Sequence, residues 1–249
     1  MKLKNKNKQM TNISDITNPY TRRSRLQPAL IVILPIALAT LAWFPTGVVG
    51  WGLFWSLFVA CGGTALLSQV ARDKGTLKEP ALYNGWGGKP TTRFLRHRDA
   101  PNKIVLERQH RKLESLIVGA HIPTSEEEDL HPEKADEVYE ACTKYLLEKT
   151  RDKKRFDMLF DENCNYGFRR NLWGMKPFGL VCSVLGIGAV AALVFHTVRH
   201  GVMPAPLVLI CGVLNIALLL GWIFWFTPNW VRIPAEAYAE RLLSSCEAL

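Results

Sequence analysis

The sequence predicts an all-α integral membrane protein: two transmembrane helical hairpins, four spans in all, with a helical cytoplasmic domain inserted between them. Three observations carry this expectation. Long windows hold no Asp, Glu, Lys or Arg, turn-forming residues punctuate those windows, and the remaining charges gather in a central segment and at the two ends. Of 249 residues, 48% are hydrophobic and 21% charged, with 18 Gly and 6 Cys. That balance excludes disorder over most of the chain, a collagen-like repeat and a disulfide scaffold.

The first window runs from Arg25 to Arg72, with 46 uncharged residues between them. One crossing takes about 20 apolar residues, because roughly 30 Å of hydrocarbon is covered at about 1.5 Å per residue. The window therefore holds two crossings, expected over 28–44 and 48–69 and joined at Phe44-Pro45-Thr46-Gly47. Two further windows, Pro177 to Val198 and Gly201 to Val231, predict spans over 177–198 and 205–227, joined at Arg199-His200-Gly201-Val202-Met203-Pro204. A soluble domain of this size has too few other residues to cover four uncharged helices. Span one is not read as a cleaved signal peptide, because span two follows it at once. The expected segments are a basic N-terminal stretch 1–27, hairpin one 28–69, a helical domain 70–176, hairpin two 177–227 and a C-terminal amphipathic helix 228–249.

Charge sets the expected orientation. Residues 1–27 carry seven Lys/Arg against Asp15 alone, and residues 69–176 carry 21 positive and 18 negative groups. The short turns between paired spans hold only Arg199 and His200. The positive-inside rule then places both termini and the centre in the cytoplasm, in the plasma (inner) membrane. Trp43, Trp51, Trp173, Trp225 and Trp230 fall near span ends, as in an interfacial aromatic belt. Arg169, Arg170, Trp173 and Lys176 read as the membrane-interface lead-in to span three. No cysteine pair has CxxC spacing, so free thiols are expected. Asn215, Thr64, Ser183 and Ser56 are candidates for hydrogen bonds between spans, and Gly62-Gly63 and Gly186/Gly188 for close backbone approach.

Within the central segment, turn formers (Pro80, Asn84, Gly85, Gly87, Gly88, Pro90) predict a connection over 72–92. A helix is expected from Thr91-Thr92 through Arg96. Another is expected from a cap at Asp99 to about Val118, with Leu106, His110, Leu113 and Ile117 on one face. Ser125 is the expected cap before an acidic run, Glu126 to Asp129. A helix over about 133–151 stripes Ala135, Val138, Cys142, Tyr145 and Leu146. A last helix holds Phe156, Leu159 and Phe160 and is expected to break at Asn163-Cys164-Asn165-Tyr166-Gly167. The C-terminal helix is expected against the membrane or the central domain.

Residues 85–112 hold eight Lys/Arg against two acids, and residues 126–140 hold eight acids against one Lys. These stretches either pair with each other or leave a basic face for an anion. The candidate anion-binding residues are Lys89, Arg93, Arg96, Arg98, Arg108, Arg111 and Lys112, since arginine suits bidentate phosphate contacts. Gly85-Trp86-Gly87-Gly88-Lys89-Pro90-Thr91-Thr92 resembles a phosphate loop only loosely. Pro90 stands where a Walker loop needs Ser or Thr, so the alternative is a turn stiffened by Pro90 with Trp86 packed on the membrane or the domain. No GxSxG or HExxH is present, and His131-Pro132-Glu133 lacks a matching PCxxC. No catalytic or metal-binding residue is assigned, and no cofactor is expected. His196 and His200 share a face at the end of span three.

The functional expectation is a non-enzymatic, multi-pass membrane protein acting as an oligomeric sensor, scaffold or pore-forming effector, of the kind a stress or phage-defence pathway uses. Its cytoplasmic domain would bind a nucleotide, an anionic lipid headgroup, a nucleic acid or a protein partner, as a homo-oligomer or within a membrane complex. The alternative is a membrane-bound enzyme acting on a lipid or nucleotide, with His97, His110, Asp99 and Lys89 as its candidate groups.

Overall fold

The computed structural model describes residues 18–46 and 62–249, and among them there is no strand. Ten helices follow one another in the described chain: α1 (Pro19–Trp43), α2 (Gly63–Trp86), α3 (Pro90–Arg93), α4 (Lys103–Leu116), α5 (Ser125–Leu130), α6 (Pro132–Lys149), α7 (Asp157–Gly174), α8 (Lys176–Arg199), α9 (Pro206–Trp225) and α10 (Pro228–Ser244). They divide between two compact units, Met1–Gly75 with Gly174–Trp225, and Thr76–Trp173 with Phe226–Leu249.

In the first unit α1, α8 and α9 are each long and apolar enough to cross a membrane, with mean hydropathies of 2.0, 2.5 and 2.6. They correspond to spans one, three and four. Most of expected span two, 48–69, lies outside the described residues, and its last residues begin α2. Helix α1 ends at Phe44-Pro45, where the turn was expected, and α8 ends at Arg199 before Gly201. The three helices pack on one another through small side chains, with Ala39, Ala42, Val190, Val208 and Cys211 inside. Two glycines set the closest approaches. The Trp222 ring lies directly on Gly179, and a Cβ on Gly186 would stand 2.8 Å from the Pro35 carbonyl oxygen and 2.9 Å from Asn215 Oδ1. Outward-facing Val181, Val184, Leu185, Leu209 and Val213 are exposed, as side chains solvated by lipid are.

Among the described residues, Asn215, Ser183 and Thr64 are buried and their polar side-chain atoms have no hydrogen-bond partner; Ser56 and most of expected span two lie outside the described residues. The close approaches come from Gly179 and Gly186, while Gly188 meets nothing within 4 Å. One cross-helix hydrogen bond runs from Trp43 Nε1 to the Ala189 carbonyl at 3.0 Å.

The second unit is a helical domain around one main core. Helix α4 contributes Leu106 and Leu113, α6 contributes Ala135, Tyr139, Cys142 and Leu146, and α10 contributes Leu242 and Leu243. Each fully buried leucine contributes about 1.5–3 kcal/mol relative to exposure. A second cluster joins Leu82 and Trp86 of α2, Tyr166 of α7, and Val231 and Ala235 of α10. The C-terminal helix therefore packs on the central domain, one of its two expected places.

Local expectations fail where tertiary contacts outweigh residue preference. The connection expected over 72–92 is largely helix: α2 runs through Pro80, Asn84 and Gly85 and stops only at Gly87, because Leu82 and Trp86 are held in the second cluster. The helix expected through Arg96 ends at Arg93. The cap of α4 is Asn102, whose side chain accepts from the Ile104 and Val105 amides, while Asp99 turns to Arg96. Thr124 caps α5 in place of Ser125, forming a reciprocal capping box with Glu127. Helix α7 passes unbroken through Asn163 to Gly167. Cys164 and Tyr166 are buried there, and the Tyr166 ring stacks on Tyr238 at 6.4 Å. Cys142, Cys164, Cys182, Cys211 and Cys246 are free thiols; Cys61 is outside the described residues.

Candidate ligand groove of the helical domain

The chain leaves α2 at Gly87 (φ 79°) and Gly88 (φ 131°), a left-handed pair that residues with side chains rarely adopt. The Gly88 amide donates back to the Tyr83 carbonyl at 2.8 Å. Trp86 packs beneath the corner and Pro90 opens α3, so the glycine-rich stretch is a turn stiffened by packing. Beside it lies an open groove of about 880 Å³, lined by Thr76, Glu79, Tyr83, Asn84, Lys89, Thr92, Arg96, Asp136 and Glu140. It shares Tyr83, Lys89, Thr92 and Glu140 with a smaller pocket of about 260 Å³, whose walls include Leu147, Tyr166, Tyr238 and Leu242.

Arg96 anchors the groove floor. Its Nε and Nη2 donate to both oxygens of Asp136 at 2.7 and 2.6 Å, and its Nη1 donates to Asp99 at 3.0 Å and to the Gly87 carbonyl at 2.8 Å. The guanidinium is only 9% exposed. The Asp136 hydrogen bonds push its pKa upward and keep it charged. Lys89 differs: it meets Glu140 at 2.7 Å with both groups well exposed, 46% and 37%. Exposed pairs contribute only about 0–1 kcal/mol, whereas removing one partner of a buried pair costs about 3–5 kcal/mol. The Lys89–Glu140 contact is replaceable and the Arg96–Asp136 contact is not.

The other candidate anion-binding residues are scattered over acidic partners. Arg93 meets Glu236 at 3.3 Å, Arg98 lies 3.8 Å from Glu128, and Arg108 meets Glu247 at 2.6 Å. Arg111 Nε reaches the Glu107 carbonyl on its own helix at 3.4 Å, and Lys112 forms no ion pair among the described residues. Lys89, Arg96 and Arg98 thus meet the acidic stretch, Arg93 and Arg108 meet the C-terminal segment, and of the candidates only Lys89 and Arg96 line the groove.

Tyr83, absent from the sequence-derived candidates, is the groove's aromatic wall. Its hydroxyl lies 3.0 Å from that of Tyr166, which donates to Glu79 at 3.0 Å, and Arg170 Nη1 donates to the same Glu79 oxygen at 2.6 Å. Burial pushes the Tyr83 hydroxyl up to about 12. Helical spacing of Glu79 and Tyr83, together with Tyr166 and Arg170, was the available signal, but it was masked by the expected breaks at Pro80 and Gly167. Thr92 lines both cavities and is 3% exposed; its hydroxyl is buried and has no partner among the described residues.

The expected membrane-interface residues make protein contacts. Arg170 is held by Glu79, and Arg169 donates to the Trp230 carbonyl at 2.9 Å with its guanidinium over that ring. Lys78 sits over the Trp173 ring, and Lys176 donates to the Ile223 carbonyl at 3.1 Å.

A separate open cleft of about 510 Å³ is lined by His97, His110, Arg111, Glu114 and His121. The His97 and His110 rings meet edge to face at 5.0 Å, each with Nε2 at a backbone carbonyl, Pro123 and Leu95 respectively. Burial lowers the His110 pKa. Asp99 and Lys89 lie with other partners, Arg96 and Glu140. His196 and His200 do share a face, with ring centroids 4.7 Å apart, and no group of three or more metal-ligating side chains occurs among the described residues.

The described residues define an all-helical class, with three helices among them able to cross a membrane and a helical domain carrying a mixed-charge groove. Compared with protein families, curated proteins and solved structures, the chain matches none.

Proposed function

We propose that the protein is a four-span membrane receptor-like protein, with both termini and the helical domain in the cytoplasm, that binds an anionic ligand in the groove beside Gly87 and Gly88. The observation that carries this reading is the exposed, replaceable Lys89–Glu140 pair on the wall of the groove, beside the fixed Arg96. Helix α2 lines the groove through Thr76, Glu79 and Tyr83, and its first half belongs to the unit that holds the candidate spans. Binding at the groove thus acts on a helix shared with the membrane unit. The four spans and their orientation are supported by the charge-free windows and the positive-inside asymmetry.

The test uses full-length protein in detergent. Inorganic phosphate should raise its thermal midpoint above that in chloride at equal ionic strength, and Lys89→Glu should remove the gain. Equal midpoints in both salts would sink the groove reading. Alkaline phosphatase fused near position 120 should be inactive, and activity there would overturn the orientation.

A second reading, a membrane-bound enzyme, is favoured by the meeting of His97 and His110 in the other cleft. Full biological function in a His97→Ala, His110→Ala double variant would remove its acid–base pair.

A further inference from the structure

We propose that the pocket beside Tyr83 takes a small acid with a single carboxylate or phosphate group on a flat or apolar body, and that Glu140 is its built-in competitor. The inference rests on the groove reading and narrows it.

Charge limits the ligand first. The pocket presents Lys89 and Lys144 against Glu140, leaving a single positive charge. The adjoining groove adds Glu79 and Asp136, and its Arg96 is already bonded to Asp136 and Asp99. Across pocket and groove three cations face three carboxylates, so a polyanion such as a nucleic acid or a triphosphate finds no net positive field, whereas a single carboxylate or phosphate group meets Lys89 and Lys144 once Glu140 is displaced. Size limits it next. The pocket holds about 260 Å³, just under the roughly 300–1,000 Å³ of clefts for drug-sized molecules. Tyr83, Tyr238, Leu147 and Leu242 offer aromatic and apolar walls for a ring or short chain. Thr92, buried at the start of the wall, completes the lining.

Glu140 occupies the place the ligand's acid group needs. Its carboxylate sits 2.7 Å from Lys89 Nζ, in a pair exposed enough to exchange. A ligand acid displaces Glu140 from Lys89 on entry, so the protein's own carboxylate competes with weak anions for Lys89.

The test titrates benzoate, phenyl phosphate, benzamide and inorganic triphosphate into the full-length protein in detergent, as wild type, Glu140→Gln and Lys89→Met. Both acids should bind the wild type and bind Glu140→Gln about two- to fivefold more tightly, the range an exposed pair supports. Lys89→Met should lose both acids, and benzamide should not bind. Unchanged or weaker acid binding by Glu140→Gln overturns the competitor role. Triphosphate binding more tightly than phenyl phosphate overturns the ligand class. Binding of inorganic phosphate without any gain from the phenyl group also overturns the class but leaves the groove reading standing; no binding of any oxyanion to any variant removes both. Thermal midpoints of the two variants within a degree or so of wild type establish that they are folded.

Discussion

Replacing Arg96 with Met would leave the two oxygens of Asp136, one of Asp99 and the Gly87 carbonyl without their shared donor. A net contribution of about 1.5–3 kcal/mol for each charged hydrogen bond would sum over the four to about 6–12 kcal/mol, comparable to the whole stability of a domain. The true loss is smaller, because Asp136 and Asp99 are each about a third exposed and water re-solvates them. The Met side chain also retains the apolar contacts of the arginine stem. The expected cost is about 3 kcal/mol, the lower end for breaking a buried pair. The assay is thermal unfolding of the detergent-solubilised chain with a thiol-reactive dye, which reports Cys142 and Cys246 as the domain core opens; both are buried there. At about 3–5 °C per kcal/mol for a domain of this size, the midpoint should fall by roughly 10–15 °C. Asp136→Asn should fall by less, and the double variant should be less destabilised than the sum, since both remove the same pair. An Arg96→Met midpoint within about 2 °C of wild type would refute the anchoring role and the distinction drawn between Arg96 and Lys89.

Three further outcomes are expected. Burial lowers the His110 pKa, so the folded state keeps it neutral while the unfolded chain takes up a proton below about pH 6.5. The histidine's contribution is complete above that pH and is lost on acidification, about 1.4 kcal/mol for each unit of depression; a His110→Gln variant should show a flatter midpoint between pH 7 and 5. Leu242→Ala removes a fully buried side chain from the main core and should cost about 2–5 kcal/mol, read as faster proteolysis of the helical domain. In the membrane unit, Gly186→Ala places a methyl against the Pro35 carbonyl and Asn215 and should reduce the yield of folded protein, whereas Gly188→Ala, with nothing within 4 Å, should not; equal yields would contradict the packing.

Legibility differed between the two units for a physical reason. The Cys142–Leu146 stripe of α6 and the Leu106–Leu113 face of α4 were readable, because a helix facing a core repeats its apolar residues every turn. Pro80 and Gly85 in α2, and Gly167 in α7, were read as breaks because residue preference is a local average of about 1 kcal/mol for glycine. Packing of Leu82, Trp86 and Tyr166 into one cluster outweighs it.

The groove divides the same way. That the basic and acidic stretches face each other was one of two readings open to composition. Which cation survives as available is decided only by the fold, which brings Asp136 to Arg96 across 40 positions and Glu140 to Lys89 across 51.

The amino-acid order alone determined the oily helices α1, α8 and α9, because solubility in hydrocarbon depends on a run of consecutive residues and needs no knowledge of neighbours. The tertiary structure alone decided that α10 belongs to the helical domain, that Arg96 is held fast and Lys89 exchangeable, and that Tyr83 walls a pocket. Those facts depend on which helices meet in space, and pairing across distant segments is written in no single stretch of chain.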